Sequence, residues 1–334
     1  MNVIATNRVK LAPGFWASMR QIGLAPQDIV HKCGLPLSII NESVVTTVQY
    51  YAIWQAYAEL VGDIADGIVR LATGFETAQY PPAALSTFHA RNYRDALTRM
   101  TRYKQMCPPE HLSMRETDDY GIIELEWAHA MQPGPSILVG TTLAYLLELG
   151  RRGTNLPLTA LSVSFVGEMG DTEALEAFFG CQVRVGADVN RLMLRRSDLD
   201  LPFISYNEEL LDILTPALDR SLTELQSNQK VSDKVKWILA RCLSQGRIDI
   251  LNVAQTLGLS DRTLQRRLTE EGASFKQLLT ESRHEHALAF LADPSLEIKE
   301  VAFLVGFEDP NSFHRAFRAW EGTTPANWRA AQEL

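Results

Sequence analysis

Two short runs near the end of the chain carry side chains suited to reading the edges of DNA bases. Arg262, Gln265, Arg266 and Thr269 fall at i, i+3, i+4 and i+7, so a helix would place them on one face. The second run holds Asn311, Ser312, His314, Arg315 and Arg318. An arginine can donate two hydrogen bonds to guanine, and glutamine or asparagine can bond adenine twice. The bland alternative is a solvated face, because leucines inside and arginines outside describe most surface helices.

The runs gain weight from the elements that would position them. Val253-Ala254-x-x-x-Gly258-Leu259-x-Asp261 recurs as Val301-Ala302-x-x-x-Gly306-Phe307-x-Asp309. The copies continue as Leu264-Gln265-Arg266-Arg267-Leu268 and Phe313-His314-Arg315-Ala316-Phe317. Helix, glycine turn and second helix with outward arginines is the pattern of a helix-turn-helix DNA reader. In the first copy Val253, Ala254 and Leu257 form a packing face, Gly258 suits a turn with positive φ, and Leu264 and Leu268 point inward. Ser260 or Asp261 can cap the second helix. In the second copy Ile298, Val301, Ala302 and Val305 pack, Asp309 caps, and Pro310 takes the first helical position. Phe313, Phe317 and Trp320 make its buried stripe. Residues 274–292 read as one helix between the copies, ended by Asp293-Pro294. Its ~19 residues span roughly 28 Å, close to one ~34 Å turn of B-DNA. Both second helices are then expected to enter successive major grooves of one duplex.

Residues 233–331 resemble the C-terminal domain of the AraC/XylS family of bacterial transcription regulators. The likeness lies in Thr263-Leu264-Gln265-Arg266-Arg267-Leu268 with Glu271-Gly272, in Arg283 and Ala287, and in Gly306-Phe307. It continues through Ser312-Phe313-x-Arg315-Ala316-Phe317, Trp320-x-Gly322 and Thr324-Pro325. The resemblance implies seven helices, promoter binding, and base contacts from Arg262, Gln265 and Arg266. Asn311, Ser312, His314 and Arg315 match the more variable positions of the second unit.

The 334-residue chain is long for one domain and comfortable for two, with 46% hydrophobic residues. Its net charge of −8 at first argues against nucleic acid. The excess lies in residues 1–227, which carry 18 Lys+Arg and 26 Asp+Glu; residues 228–334 carry 14 of each. Local arginine clusters must therefore supply phosphate attraction, and modest non-specific affinity is expected. No long apolar run or secretory leader is evident, so a soluble, cytoplasmic protein without membrane association is expected. Cys33, Cys107, Cys181 and Cys242 lie far apart and read as buried free thiols. His284 and His286 point apart on a helix, and His89, His111 and His129 lack ligand-like spacing. Neither a metal nor a cofactor is expected. No phosphate-loop or nucleophile-elbow motif is present, and no catalytic residue is assigned.

The first two-thirds alternate between helical and strand-like patterns. Helices are expected over 11–22, 26–33, 46–61, 65–73, about 82–89, 93–105, 135–151 and 171–179. A hairpin is expected over 111–117 and 122–127, with further strands at 158–166, 181–185 and 191–194. Glu124 and Glu126 read as a solvated strand edge rather than an acid–base pair. This region resembles the N-terminal sensing domain of the AraC branch that includes ornithine-utilisation and quorum-sensing virulence regulators. Phe178-Phe179-Gly180-Cys181-x-Val183, Asn190-x-Leu192 and Leu199-x-Leu201-Pro202 carry that likeness. Such domains are called arabinose-binding, but the glycine-punctuated strands of the arabinose regulator's cupin barrel are not evident, so no sugar is inferred. No ligand-pocket residue is assigned.

The expected fold is thus an α+β sensing and dimerisation domain over 1–205, a linker helix over 206–232, and an all-α DNA-binding domain over 233–334. In the last, two helix-turn-helix units are joined by a long helix. The linker carries a stripe of Leu210, Leu211, Leu214, Leu218, Leu222 and Leu225, which fits either packing on its own domain or dimerisation. Expected partners are double-stranded promoter DNA, a small-molecule effector, RNA polymerase and a second copy of the chain. Two rivals are an effector-independent regulator acting through protein partners and a DNA-repair methyl acceptor. The latter needs an activated cysteine that the isolated Cys33 and Cys107 do not provide.

Overall fold

The computed structural model describes residues 8–11, 14–74, 81–106, 109–127, 134–227, 230–243 and 248–332. The chain forms two compact units, the larger centred on residues 6–227 and the smaller on 228–334.

The larger unit begins with β1 (Arg8–Lys10), α1 (Gly14–Gln21), α2 (Pro26–Lys32), a 3-10 turn over Leu37–Asn41, β2 (Val44–Thr46) and α3 (Thr47–Val61). Next come α4 (Ile64–Gly74), α5 (Pro82–Phe88), α6 (Tyr93–Lys104), β3 (Glu110–Glu116), β4 (Tyr120–Trp127) and α7 (Ser136–Thr154). It ends with β5 (Ser162–Ser164), α8 (Glu173–Phe179), β6 (Val183–Arg184), β7 (Asn190–Arg195), α9 (Arg196–Leu199) and α10 (Glu208–Ser227). α7 is the centre of this unit: Ile137, Leu138, Leu143, Ala144, Leu146, Leu147 and Leu149 are all buried. Helices α3, α4 and α6 pack on it. A mixed sheet of order β3-β4-β7-β5-β6 supplies the other layer. Alternation along the strands buries Leu112, Ile123, Leu125, Leu192 and Leu194.

Several expectations change here. The start of the expected 11–22 helix is extended instead: β1 pairs with β2, and the Leu11 amide bonds the Ser43 carbonyl. The 158–166 strand shortens to β5, because neighbouring amides bond irregularly to Phe179 and Arg184. β4 is an interior strand between β3 and β7, so Glu124 is no edge residue. Its Oε1 lies 2.6 Å from Arg191 Nη2 and 3.6 Å from Arg115 Nη2. α10 packs on α5 through its own unit, burying Leu211, Leu218 and Leu222. Tyr103 Oη donates to Asp219 Oδ1 at 2.8 Å, and Arg99 Nη1 to Thr215 Oγ1 at 3.0 Å. Leu210, Leu214 and Leu225 are only half-buried and Ile213 is exposed.

The smaller unit has seven helices among the described residues: α11 (Val231–Cys242), α12 (Ile250–Thr256), α13 (Asp261–Glu270), α14 (Phe275–Ala292), α15 (Ile298–Leu304), α16 (Pro310–Glu321) and α17 (Pro325–Gln332). α12–α13 and α15–α16 are the two helix-turn-helix pairs, and α14 joins them. Around the second half of α14, Ala287, Leu291, Val301, Ala302, Val305, Phe313 and Phe317 form one buried cluster.

α14 is not a bare spacer. Arg283 Nη2 donates to the Gly306 carbonyl at 2.7 Å, and its guanidinium lies 4.7 Å above the Phe307 ring. Further along the same helix, the His286 Nε2 atom lies 3.2 Å from the Ala240 carbonyl of α11. The grip on the second pair therefore begins before the contact with α11 ends. Ser282 and His286 are buried, which the apolar pattern did not predict.

Candidate nucleic-acid interface

Each turn is built for a sharp change of direction. Gly258 has φ +66° and Gly306 has φ +78°, where a side chain would be strained. The helices that follow are capped on their first turn. Ser260 Oγ accepts from the Thr263 amide at 3.2 Å, and Asp309 Oδ1 accepts from the Ser312 amide at 2.8 Å. Pro310 sits in the first turn of α16. Hydrogen bonds from the Ser312 hydroxyl and amide hold the Asp309 carboxyl below the usual range. A charged carboxylate at this helix start suits the dipole and fixes the first turn of α16.

With Leu264 and Leu268 buried, α13 turns Arg262, Gln265, Arg266 and Thr269 outward together, all exposed. Arg266 Nε lies 3.6 Å from Glu270 Oε1, with both side chains well exposed. Thr269 Oγ1 donates to the Gln265 carbonyl at 2.9 Å, so its methyl is the freer contact surface. On α16, Phe313 and Phe317 are buried, and Asn311, Arg315 and Arg318 are exposed. Ser312 and His314 are half-buried. Ser312 Oγ accepts from Arg315 Nη2 at 3.1 Å, and the His314 ring lies against Phe313. The first face is thus a clear row of donors, and the second is more recessed.

Two cations outside the expected set gather at the first turn. Lys234 of α11 and Arg267 of α13 line a recess of about 300 Å³ with Val231 and residues 255–259. Arg267 stood in the repeat, but Lys234 is brought there only by the packing of α11 on α12 and α13. No local spacing announces such a meeting. Glu271 fixes this corner by accepting from the amides of Val231 at 2.5 Å and Ser232 at 2.8 Å.

The other candidates do not form sites. His284 Nε2 lies 2.6 Å from Glu321 Oε1, a link between α14 and α16. Burial lowers the pKa of His286. Among the described residues no group of three or more His, Cys, Asp and Glu is arranged to hold a metal. Cys33, Cys181 and Cys242 are free and half-buried rather than fully buried. Burial pushes the Cys33 and Cys181 thiols up, away from the reactive thiolate. Cys107 and His129 lie outside the described residues. No described helix is long and apolar enough to cross a membrane.

Residues 253–331 match the model of a helix-turn-helix domain. Residues 23–203 match the model of the arabinose-binding N-terminal domain of the AraC transcription regulator. The transcriptional regulator VirS of Mycobacterium tuberculosis is 29% identical over 163 residues, 49% of this chain and 47% of that protein. The matched stretch thus spans about half the length of that relative. The ornithine utilization regulator of Pseudomonas aeruginosa is 39% identical over 83 residues, 25% of this chain and 24% of its own. The crystal structure of the regulator CdpR from Pseudomonas aeruginosa aligns over 93% of this chain and 97% of its own, with 19% identity and a TM-score of 0.44.

Proposed function

The chain belongs to the AraC family of transcription regulators, and from that premise we propose that a small molecule bound by its larger unit controls promoter reading by its smaller one. The observation that carries promoter reading is the exposed row Arg262, Gln265, Arg266 and Thr269 on α13, set beside a glycine turn; the match of residues 23–203 to the arabinose-binding domain model supports the small-molecule part. In this reading α13 lies in one major groove and its row bonds base edges. Asn311, Ser312, His314, Arg315 and Arg318 of α16 serve the next groove, with Ser312 and His314 nearer the backbone because they are recessed. Lys234 and Arg267 take phosphate beside the first turn. The smaller unit carries 14 cationic and 14 acidic residues, so bulk attraction to DNA is weak and the groove contacts dominate. The working form is a cytoplasmic homodimer that meets RNA polymerase at the promoter.

Selection of bound fragments from the source genome, read by sequencing, tests the DNA assignment. One enriched motif is expected; recovery of random fragments would remove it. Thermal shift against a metabolite panel tests the effector, because a ligand of the native state raises the melting temperature. A panel without any shift would favour a regulator working through protein partners alone.

A further inference from the structure

We propose that the helical layer of the larger unit holds a binding site for a small uncharged molecule with an apolar body and a carbonyl oxygen, centred on Tyr51 and Trp54. The inference rests on the reading of this unit as the effector domain and names the chemistry of its ligand. Tyr51 and Trp54 lie three apart on α3 and are both buried, at 7% and 4% exposure. Neither the Tyr51 hydroxyl nor the Trp54 indole nitrogen has a hydrogen-bond partner among the described residues. The nearby indole nitrogen of Trp16, 6% exposed, is also unpartnered. Native cores rarely leave such donors unmade, and several in one aromatic cluster point to a missing acceptor. Other buried tyrosines of the same core are satisfied. Tyr57 Oη donates to the Gly67 carbonyl at 2.7 Å and Tyr93 Oη to that of Leu146 at 2.8 Å.

Tyr51 reaches the sheet, while Trp54 and Trp16 meet through Phe15. The Tyr51 ring meets the Trp127 ring at 5.6 Å, edge to face. Trp127 sits opposite Glu110 in the β3–β4 ladder, so both side chains share one sheet face. Phe15 bridges the remaining walls, 5.0 Å from Trp16 and 5.9 Å from Trp54.

The balance of charge selects the ligand class. Glu110 is buried and ion-paired with Lys104, so the wall offers no net charge to an ionic guest. Two indole N–H groups can only donate. Burial, then the Glu110 charge, raises the Tyr51 pKa, so its hydroxyl stays protonated and can donate as well as accept. Three possible donors against one hydroxyl acceptor favour a guest that brings acceptors, and the rings favour an apolar body. Beside this ion pair a carboxylate would meet Glu110 and an ammonium would meet Lys104, so neither ion gains.

A matched series on one ring tests this with the full-length chain: benzamide, benzoate, benzylammonium and toluene. Tryptophan fluorescence and melting temperature are read at equal concentrations. Benzamide is expected to quench and stabilise, and the other three to bind at least about tenfold more weakly, roughly one hydrogen bond in affinity. Tyr51→Phe and Trp54→Phe should each weaken benzamide by about the same factor. Without any probe, Tyr51→Phe should melt at or above the parent temperature, because it removes a buried hydroxyl that has no partner. A clear fall in melting temperature would show a structural partner and overturn the site. So would tighter binding of benzoate or benzylammonium, or no response to any member of the series. Gel shift of the unliganded parent reports DNA binding separately. A chain that shifts DNA but ignores every probe overturns this inference and leaves the family function standing.

Discussion

Arg266 stands clear of its own helix, and its contact with Glu270 is an exposed ion pair of little energetic weight. That pair holds the guanidinium near the exposed row without tying it down. Arg266→Ala is expected to cost ~1–3 kcal/mol on the specific site. Lys230→Ala, outside both helix-turn-helix pairs, should change affinity little. Gel-shift titration of the two variants checks this, and equal losses would end the base-reading role of Arg266. At this scale the sequence was informative wherever spacing alone sets exposure. Arg262, Gln265 and Arg266 share a face by helical periodicity, and α13 exposes all three. Lys234 joining Arg267, and His286 entering the core beside the Ala240 carbonyl, depend on α11 packing from a distance. The sequence around either residue carries no trace of that packing.

The elements divide in the same way. Helices with caps and glycine stops were legible: Ser260, Asp309 and Gly306 all stand where local chemistry puts them. Short strands were legible unevenly: β5, β6 and β7 fall within or near expected strands, but β1 and β2 were missed, since each has three residues and owes its existence to the other. The unpartnered polar atoms of Tyr51 and Trp54 were equally hidden, because a helix expected over 46–61 does not say which of its polar groups find partners. α16 offers a direct check on packing. Phe317 is fully buried among Phe313, Trp320 and Trp328. Phe317→Ala should cost ~3–5 kcal/mol; hydrogen exchange on the full chain should show the loss in α16 first. Unchanged protection there would place the ring outside the core. α11 offers a second check, on charge. Its first amides are capped by Glu271, whose carboxyl burial would push up, but the Ser232 amide and hydroxyl, the Val231 amide and the Lys230 charge together outweigh burial and hold it low. A lowered folded pKa adds stability above the unfolded value near ~4.3, and that stability is lost as pH falls through the folded one. Glu271→Gln should therefore melt lower at neutral pH and lose less on acidification from about pH 6 to 3. Identical slopes for parent and variant would show that the cap is not charged.

Across the smaller unit, the sequence suggests two readers on a rod, and the structure gives two readers with a shared middle. The parent is expected to protect two major-groove patches centred ~10 base pairs apart on one face of the duplex. From the sequence alone, two residues inserted near Glu285 would turn one reader by about 200° and leave both folded. The insertion falls between Arg283, which grips the second turn, and His286, which faces α11. A side chain at Gly306 would also lie 3.5 Å from the Leu243 carbonyl, so the second turn abuts the end of α11. The insertion variant should thus melt well below the parent and lose both footprints together. A parent-like melting curve with one surviving footprint would restore the rod. If the middle is shared, the protein cannot trade length for fit. Each base pair added between the two half-signals turns the far groove by ~35° and moves it ~3.4 Å. The DNA alone must absorb that mismatch by untwisting or bending, so a promoter with an altered gap should be rescued by flexible pyrimidine–purine steps in the gap, and stiffened further out of reach by an A-tract.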